Sequence, residues 1–207
     1  MRSYVQEQRL IIFADYVCPF CRLAETVAAR LRAEGRVAVD GAAFELYPTG
    51  TPVPDVNAAW LRAAWTHSIE GLAAELGVPM KRPAAIPRTR KAHEAAAYAG
   101  SEGKQADMRA AIYAAYWQDG RDIGRIDVLV DIGRESGLDA TRLKVALDID
   151  QWMDVVEQDE TSAARLGLSG VPAYVLTGVS DTGTAVAADM RVGVQRYEEL
   201  RAWVEQG

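Results

Sequence analysis

Cys18 and Cys21 are the only cysteines in this 207-residue sequence, and they stand three apart in "FADYVCPFCRLAE". Chance gives two cysteines that spacing in about 1% of arrangements of such a chain. A dithiol one helical turn apart can perform thiol–disulfide exchange. One sulfur attacks a disulfide, and the second attacks the first to close an internal bridge. The neighbouring residues favour that order. An apolar run ends near Val17, and Pro19 suits a first helical turn, where its missing N–H would be unpaired anyway. Cys18 then falls at the helix start, where free N–H groups and the helix dipole favour an anion such as a thiolate. Cys21 follows on the same face, within reach as the resolving sulfur.

Two rival readings are weaker. A bridge across so short a loop adds little stability, because loop entropy grows with loop length. Half a zinc site would need four ligands. Only His67 and His93 remain to supply them, and there is no second C-x-x-C, so no metal is expected.

The elements that must position the pair can be traced along the chain. "RLIIFADYV" (9–17) reads as a buried strand, "CRLAETVAARLRAEG" as a helix stopped by Gly35, and "VAVDGAAFELYP" (37–48) as a second strand. Strand, helix and strand in so short a span predict a right-handed parallel βαβ unit. After the turn-rich "PTGTPVPD" the chain becomes alanine-rich, with helices predicted near 57–76, 88–99, 102–118, 125–136 and 139–166 and a stop at Gly167. "PAYVLTGV" and "TAVAADMRVGV", separated by "SDTG", carry a hairpin signal. A final helix places Tyr197, Leu200 and Val204 on one face.

Hydrophobic residues make up 49% and charged residues 25%, and the net charge is -6. That balance supports an ordinary core and argues against nucleic-acid or anionic-membrane partners, which need a basic face. No stretch approaches the roughly 18 apolar residues of a membrane helix. "MRSYVQEQRLIIFADY" lacks the apolar length of an export signal, so a cytoplasmic location is expected. No glycine-rich nucleotide motif and no calcium-loop pattern appear.

"CPFC" after an apolar strand, with "SGVPAYVL" far downstream, resembles the DsbA family of thioredoxin-fold oxidoreductases. The closer likeness is to its cytoplasmic FrnE-like branch. "ADYVCPFC" is similar to the active-site opening, and "FELYP", "PRTRKAHEAAAYA" and "YAAYWQDGRDIG" to the middle. "ARLGLSGVPAYVL" and "VGVQRYEEL" are similar to the return to the sheet and the final helix. The resemblance implies an α/β chain with a thioredoxin-like fold and a large all-helical insertion. The thioredoxin-like domain would be 1–54 with 168–207, and the insertion 55–167. It implies that Cys18 is an exposed nucleophile and Cys21 the resolving cysteine. It also implies that Pro172 is a cis-proline facing them, that Val171 before it offers its backbone to an extended substrate, and that Pro19 and Phe20 meet that substrate. Asp15, three residues before Cys18, is a candidate for tuning the thiols. The redox-active pair itself stands in for a cofactor, with glutathione as a candidate co-substrate. The partners implied are protein or small thiol and disulfide substrates. The strongly oxidising members carry histidine where this chain has Phe20. The stretch "TGVSDTGTAVAAD" is longer than the usual hairpin, and a relay through additional cysteines, which some relatives carry, is absent here.

Two alternatives accompany this reading: a glutathione-dependent isomerase of the chromene-carboxylate type, in which serine commonly holds the nucleophile position, and a non-enzymatic, zinc-held interaction module. Other features have bland readings. The basic run Lys81, Arg82, Arg88, Arg90 and Lys91 reads as a solvated connector, with an acidic partner or glutathione as the sharper option. His93 reads as a surface or core histidine. Most of Tyr113, Tyr116 and Trp117, with Trp60 and Trp65, read as helical-block core, with one or two as candidates to line a groove over Cys18. The acids Asp148, Asp150, Asp154, Glu157, Asp159 and Glu160 read as the wet side of one helix.

Overall fold

The computed structural model describes residues 8–35, 37–179 and 185–206. Its centre is a four-stranded sheet of order β2-β1-β3-β4. Strand β1 (Arg9–Ala14) runs through α1 (Pro19–Glu34) into β2 (Ala38–Ala43), which pairs with it in parallel. Strand β3 (Ala173–Val179) lies antiparallel on the other side of β1, and β4 (Ala185–Val192) antiparallel on β3. Because β1 is central, both of its faces are buried, hence its unbroken apolar run. Leu10 and Ile12 join Tyr174 and Leu176 against α1 and the last helix, α9 (Tyr197–Gln206). Tyr197, Leu200 and Val204 are all buried there. Ile11 and Phe13 share the opposite face with Ala173 and Val175.

Between β2 and β3 lies a helical block. Helix α2 (Ala59–Ala64), a π-helical turn (Trp65–Ile69) and α3 (Glu70–Glu75) follow one another without a gap. Then come α4 (Arg90–Ser101), α5 (Gln105–Trp117), α6 (Ile126–Glu135), α7 (Ala140–Asp148) and α8 (Met153–Arg165). A parallel βαβ unit and an antiparallel hairpin separated by such a block form a thioredoxin-like fold with a helical insertion. The core of the block is continuous with the residues after β1: Tyr16, Val17, Cys18 and Cys21 belong to the same buried cluster as Ile112, Tyr113, Leu129 and Leu143.

The predicted helix over 139–166 is two helices. Asp150 takes a left-handed backbone (φ 54), and the Gln151 N–H reaches back to the Ala146 carbonyl (3.0 Å), closing α7 as a glycine commonly would. No glycine or proline marks the break, so helical periodicity hides it. The second strand ends at Ala43 rather than continuing to Pro48. Gly167 is left-handed (φ 70) just past α8, as a helix stop requires. The predicted turn at 180–183 lies outside the described residues, as do residues 1–7.

Two expectations about charge are corrected. The acids of 148–160 are not one wet face: the half-buried Asp159 carboxylate accepts the Ala43 N–H on edge strand β2 (2.8 Å). Gln105 covers the same edge, accepting from the Gly41 N–H (3.0 Å) and donating to its carbonyl (3.1 Å). The basic run is also more than a solvated connector. Lys91 binds Glu94, Asp150 and the Leu147 carbonyl, and Arg90 binds Glu45, Glu157 and Glu160. Apart from Glu94, one turn along the same helix, these partners sit on segments far along the chain, which is why a local reading misses them.

The Arg90 cluster carries a pH signature. Glu45 is pushed up to about 7, first by burial and then by the Glu160 carboxylate, against the pull of Arg90. The unfolded chain gives up that proton near the ordinary value of 4.5, so raising the pH from there to about 7 weakens the fold. We expect Glu160→Gln to flatten the loss of melting temperature between about pH 5 and pH 8. An unchanged loss in thermal unfolding at the two pH values would contradict this origin.

Candidate active site

Cys18 is the N-cap residue of α1, with extended backbone (φ -85, ψ 116) and Pro19 directly after it. Its N–H donates to the Asp15 carbonyl (3.2 Å), and its carbonyl accepts from Cys21 (3.1 Å) and Arg22 (3.2 Å), the first turn of the helix. The Cys18 thiol donates to the Val171 carbonyl at 3.6 Å. The Val171–Pro172 peptide is cis. The Pro172 carbonyl accepts from the N–H of Gly193 (2.8 Å), whose φ of 88 suits glycine. The fold thus brings together Cys18, Cys21, Val171 and Pro172 from segments some 150 residues apart.

The expectation of an exposed nucleophile does not hold: Cys18 is only 4% exposed. Its thiol turns inward onto Val171, and Phe20, Tyr47 and Val171 pack half-buried against its cluster. Pro19 is half-buried too. Cys21 is 1% exposed. Burial pushes its thiol well above the ordinary range, and a hydrogen bond to Cys18 and the Cys18 charge push it further. No disulfide joins the two sulfurs. Negative charge on Cys18 thus disfavours ionisation of Cys21.

Asp15 is fully buried. Its Oδ2 accepts the Leu46 N–H (2.7 Å), and its Oδ1 lies 3.5 Å from His93 Nε2, which is buried as well. Its main chain is held as firmly: the carbonyl that receives Cys18 also accepts the Tyr113 hydroxyl (3.3 Å). Trp117 Nε1 donates to the Tyr16 carbonyl (2.8 Å), and the Tyr16 ring sits 4.8 Å from His93 and 4.9 Å from Tyr113. Tyr113, Tyr116 and Trp117 are core as read, and Tyr113 and Trp117 also fix the turn that presents Cys18. Their i, i+4 spacing on one helix was the available signal, and nothing local reveals what they touch. Trp60 departs from that reading, being 60% exposed.

Below α1 lies a buried ion network. Glu25 accepts from Arg32 (2.6 Å) and from Arg109 of α5 (3.2 Å). Burial alone would raise the Glu25 carboxyl, but Arg109 and Arg32 outweigh it and hold it below the usual range. A Cβ on Gly41 would come within 2.3 Å of the Arg109 guanidinium carbon, so glycine is required for this approach. Among the described residues no three His, Cys, Asp or Glu side chains gather to hold a metal ion, and exposed His67 bonds only the Ala63 carbonyl. Among them, too, no helix is long and apolar enough to cross a membrane.

The profile of the DSBA-like thioredoxin domain matches residues 9–204. The uncharacterised protein YwbO of Bacillus subtilis is 30% identical over 178 residues, 84% of this chain and 89% of that protein. The crystal structure of a probable DsbA oxidoreductase, SCO1869 from Streptomyces coelicolor, is similar at a TM-score of 0.77. It is 26% identical and the match covers 96% of this chain and 89% of that one. The cytosolic disulfide reductase DsbM of Pseudomonas aeruginosa shares the fold at a TM-score of 0.72 and 20% identity, over 96% and 97% of the two chains. With a C-x-x-C pair opening its first helix and a cis-proline set against it, this chain belongs to the DSBA-like thioredoxin domain family.

Proposed function

We propose that the protein is a cytoplasmic thiol–disulfide oxidoreductase of the FrnE-like branch, with Cys18 as nucleophile and Cys21 as resolving thiol. The observation that supports this best is the Cys18 sulfur at the open end of α1, set against the Val171 carbonyl, with buried Cys21 one turn behind. A substrate disulfide docks along Val171 and Pro172, beside Pro19 and Phe20. The Cys18 thiolate attacks one substrate sulfur, and the other leaves as a thiolate. Cys21 then gives up its proton and attacks Cys18, releasing the second substrate thiol and leaving the Cys18–Cys21 bridge. The reverse steps oxidise a dithiol. Asp15 acts as a positioning residue, through the backbone and side-chain bonds that hold the turn. Glutathione is the thiol we assign to recycling the bridge; DsbM, a cytosolic relative in fold, has been solved with GSH. Residues 55–167 serve as the insertion that walls the site.

The glutathione-dependent isomerase reading is separated by Cys21→Ala. That reading needs only the residue at position 18, so isomerisation would survive the change. Our proposal expects turnover of a peptide disulfide, with glutathione as reductant, to fall about tenfold or more, because each mixed disulfide must wait for an external thiol. Full wild-type turnover in the variant would overturn the dithiol mechanism.

A further inference from the structure

Closing the Cys18–Cys21 bridge releases a proton from a buried thiol, so the proton needs a partner inside the protein. The Asp15 main chain hydrogen-bonds the Cys21 sulfur, and the Asp15 charge is felt there. Of the two Asp15 carboxylate oxygens, Oδ2 is satisfied by the Leu46 N–H. Oδ1 is buried and has no hydrogen-bond partner among the described residues. His93 Nε2, 3.5 Å from it, is buried and has none either. Two buried polar atoms left next to each other, each without another partner, are poised to share a proton.

His93 also lines a cavity of about 270 Å³, counting its open mouth, together with Gly41, Gln105, Arg109, Val155 and Asp159. Asp15 does not line it. Val155 is exposed, so the cavity reaches the surface on that side. Its walls are polar: Arg109 Nε is buried without a partner, and Gln105 and Asp159 bring an amide and a carboxylate. Such a cavity suits water. Burial pushes the Asp159 carboxyl above its ordinary value, against the pull of the Ala43 N–H, His93 and Arg109. The imidazole thus stands between two carboxylates, with the Tyr16 ring packed against it at 4.8 Å and Arg109 5.9 Å over that ring.

We propose that His93 is a positioning residue for the resolving step, carrying the Cys21 proton from Asp15 to this cavity. This rests on the oxidoreductase reading and deepens it, naming the residue that clears the proton from the buried site. As the Cys21 sulfur bonds to Cys18, the bond between Cys18 and the substrate breaks, and the substrate sulfur leaves as a thiolate with the electron pair. The Cys21 proton passes to Asp15, and Asp15 gives it to His93 Nε2. An imidazole with its own proton on Nδ1 accepts at Nε2 and donates from Nδ1, so the charge leaves through the cavity water past Asp159. Attack by the Cys18 thiolate releases no proton and does not use the route.

The test mixes reduced protein with one equivalent of dithiobis-nitrobenzoate, whose two halves are coloured once released as thiolates. The first release times attack by Cys18, and the second times closure by Cys21. In His93→Gln, which fills the same space but carries no proton, the second rate should fall about tenfold or more relative to the first. His93→Ala should behave likewise, and added imidazole should restore its second rate. Pyrazole has the same shape and is far less basic, so it should not. Equal rescue by both gives His93 a packing role and overturns the route. An unchanged ratio of the two rates in His93→Gln, which carries the test if the alanine variant does not fold, also overturns it. In both cases two releases from the wild-type protein leave the oxidoreductase reading standing. No coloured release from the reduced wild-type protein overturns both.

Discussion

A Cys18→Ser variant should reduce peptide disulfides at least about a thousandfold more slowly than the wild-type protein, with its melting temperature little changed. The size of the effect follows from the chemistry. Serine's hydroxyl is a far weaker nucleophile toward sulfur than a thiolate and forms no disulfide. Cys21 cannot take over, because it is buried and pushed well above the ordinary thiol range. The stability forecast follows from the contacts. The backbone bonds of residue 18 to Asp15, Cys21 and Arg22 do not use its side chain, and a serine hydroxyl can still donate to the Val171 carbonyl. Steady-state kinetics and thermal unfolding on the same preparation check both halves. A variant that kept a tenth of the activity would exclude Cys18 as the nucleophile.

Arg109→Ala should be among the most damaging substitutions for folding, costing about 3–5 kcal/mol. Arg109 is 2% exposed and crosses from the helical block to Glu25 on the helix that carries both cysteines. Its removal leaves a buried carboxylate with Arg32 as its remaining ion-pair partner among the described residues, and opens a void beside the Tyr16 ring. For a chain of this length the loss corresponds to roughly 10 °C in melting temperature. Gly41→Ala should act in the same direction, since its methyl group takes the space of the guanidinium. The pH dependence has a definite sign. The folded-state pKa of Glu25 is lowered, so its pairing stabilises the fold above the ordinary value of 4.5, and that contribution is lost as the pH falls through the lowered folded value. The gap between the wild-type protein and Arg109→Ala should therefore narrow in acid. A gap that stayed constant down to about pH 3 would point to packing rather than charge as the main loss.

What could be read in the sequence was what is local. The apolar run of β1, Pro19 at the head of α1, Gly35 at its end and the spacing of Cys18 and Cys21 are all signals within a few residues of the features they mark. The sheet followed from them, because strand, helix and strand at that spacing have few ways to pack. The apposition of Val171 and Pro172 to Cys18 was not local, and only the likeness to a known family suggested it. Contacts that close over long loops were illegible. Nothing beside Arg90 announces Glu45 or Glu160, nothing beside Asp159 announces the Ala43 N–H, and nothing beside Trp117 announces the Tyr16 carbonyl. The inward turn of the Cys18 thiol was missed for the same reason: a helix N-terminus indicates where a side chain starts, while Val171 and the half-buried residues packed on its cluster set where it points.

The division of labour between the two sulfurs is tested most directly by mapping covalent adducts. Cys21→Ser and Cys18→Ser proteins are each mixed with a peptide disulfide, quenched with acid and digested, and the peptide adducts are assigned by mass spectrometry. The account predicts a near-stoichiometric mixed disulfide on Cys18 in the first protein and almost none on Cys21 in the second. Comparable adducts in the two proteins, or an adduct on Cys21 alone, would contradict it.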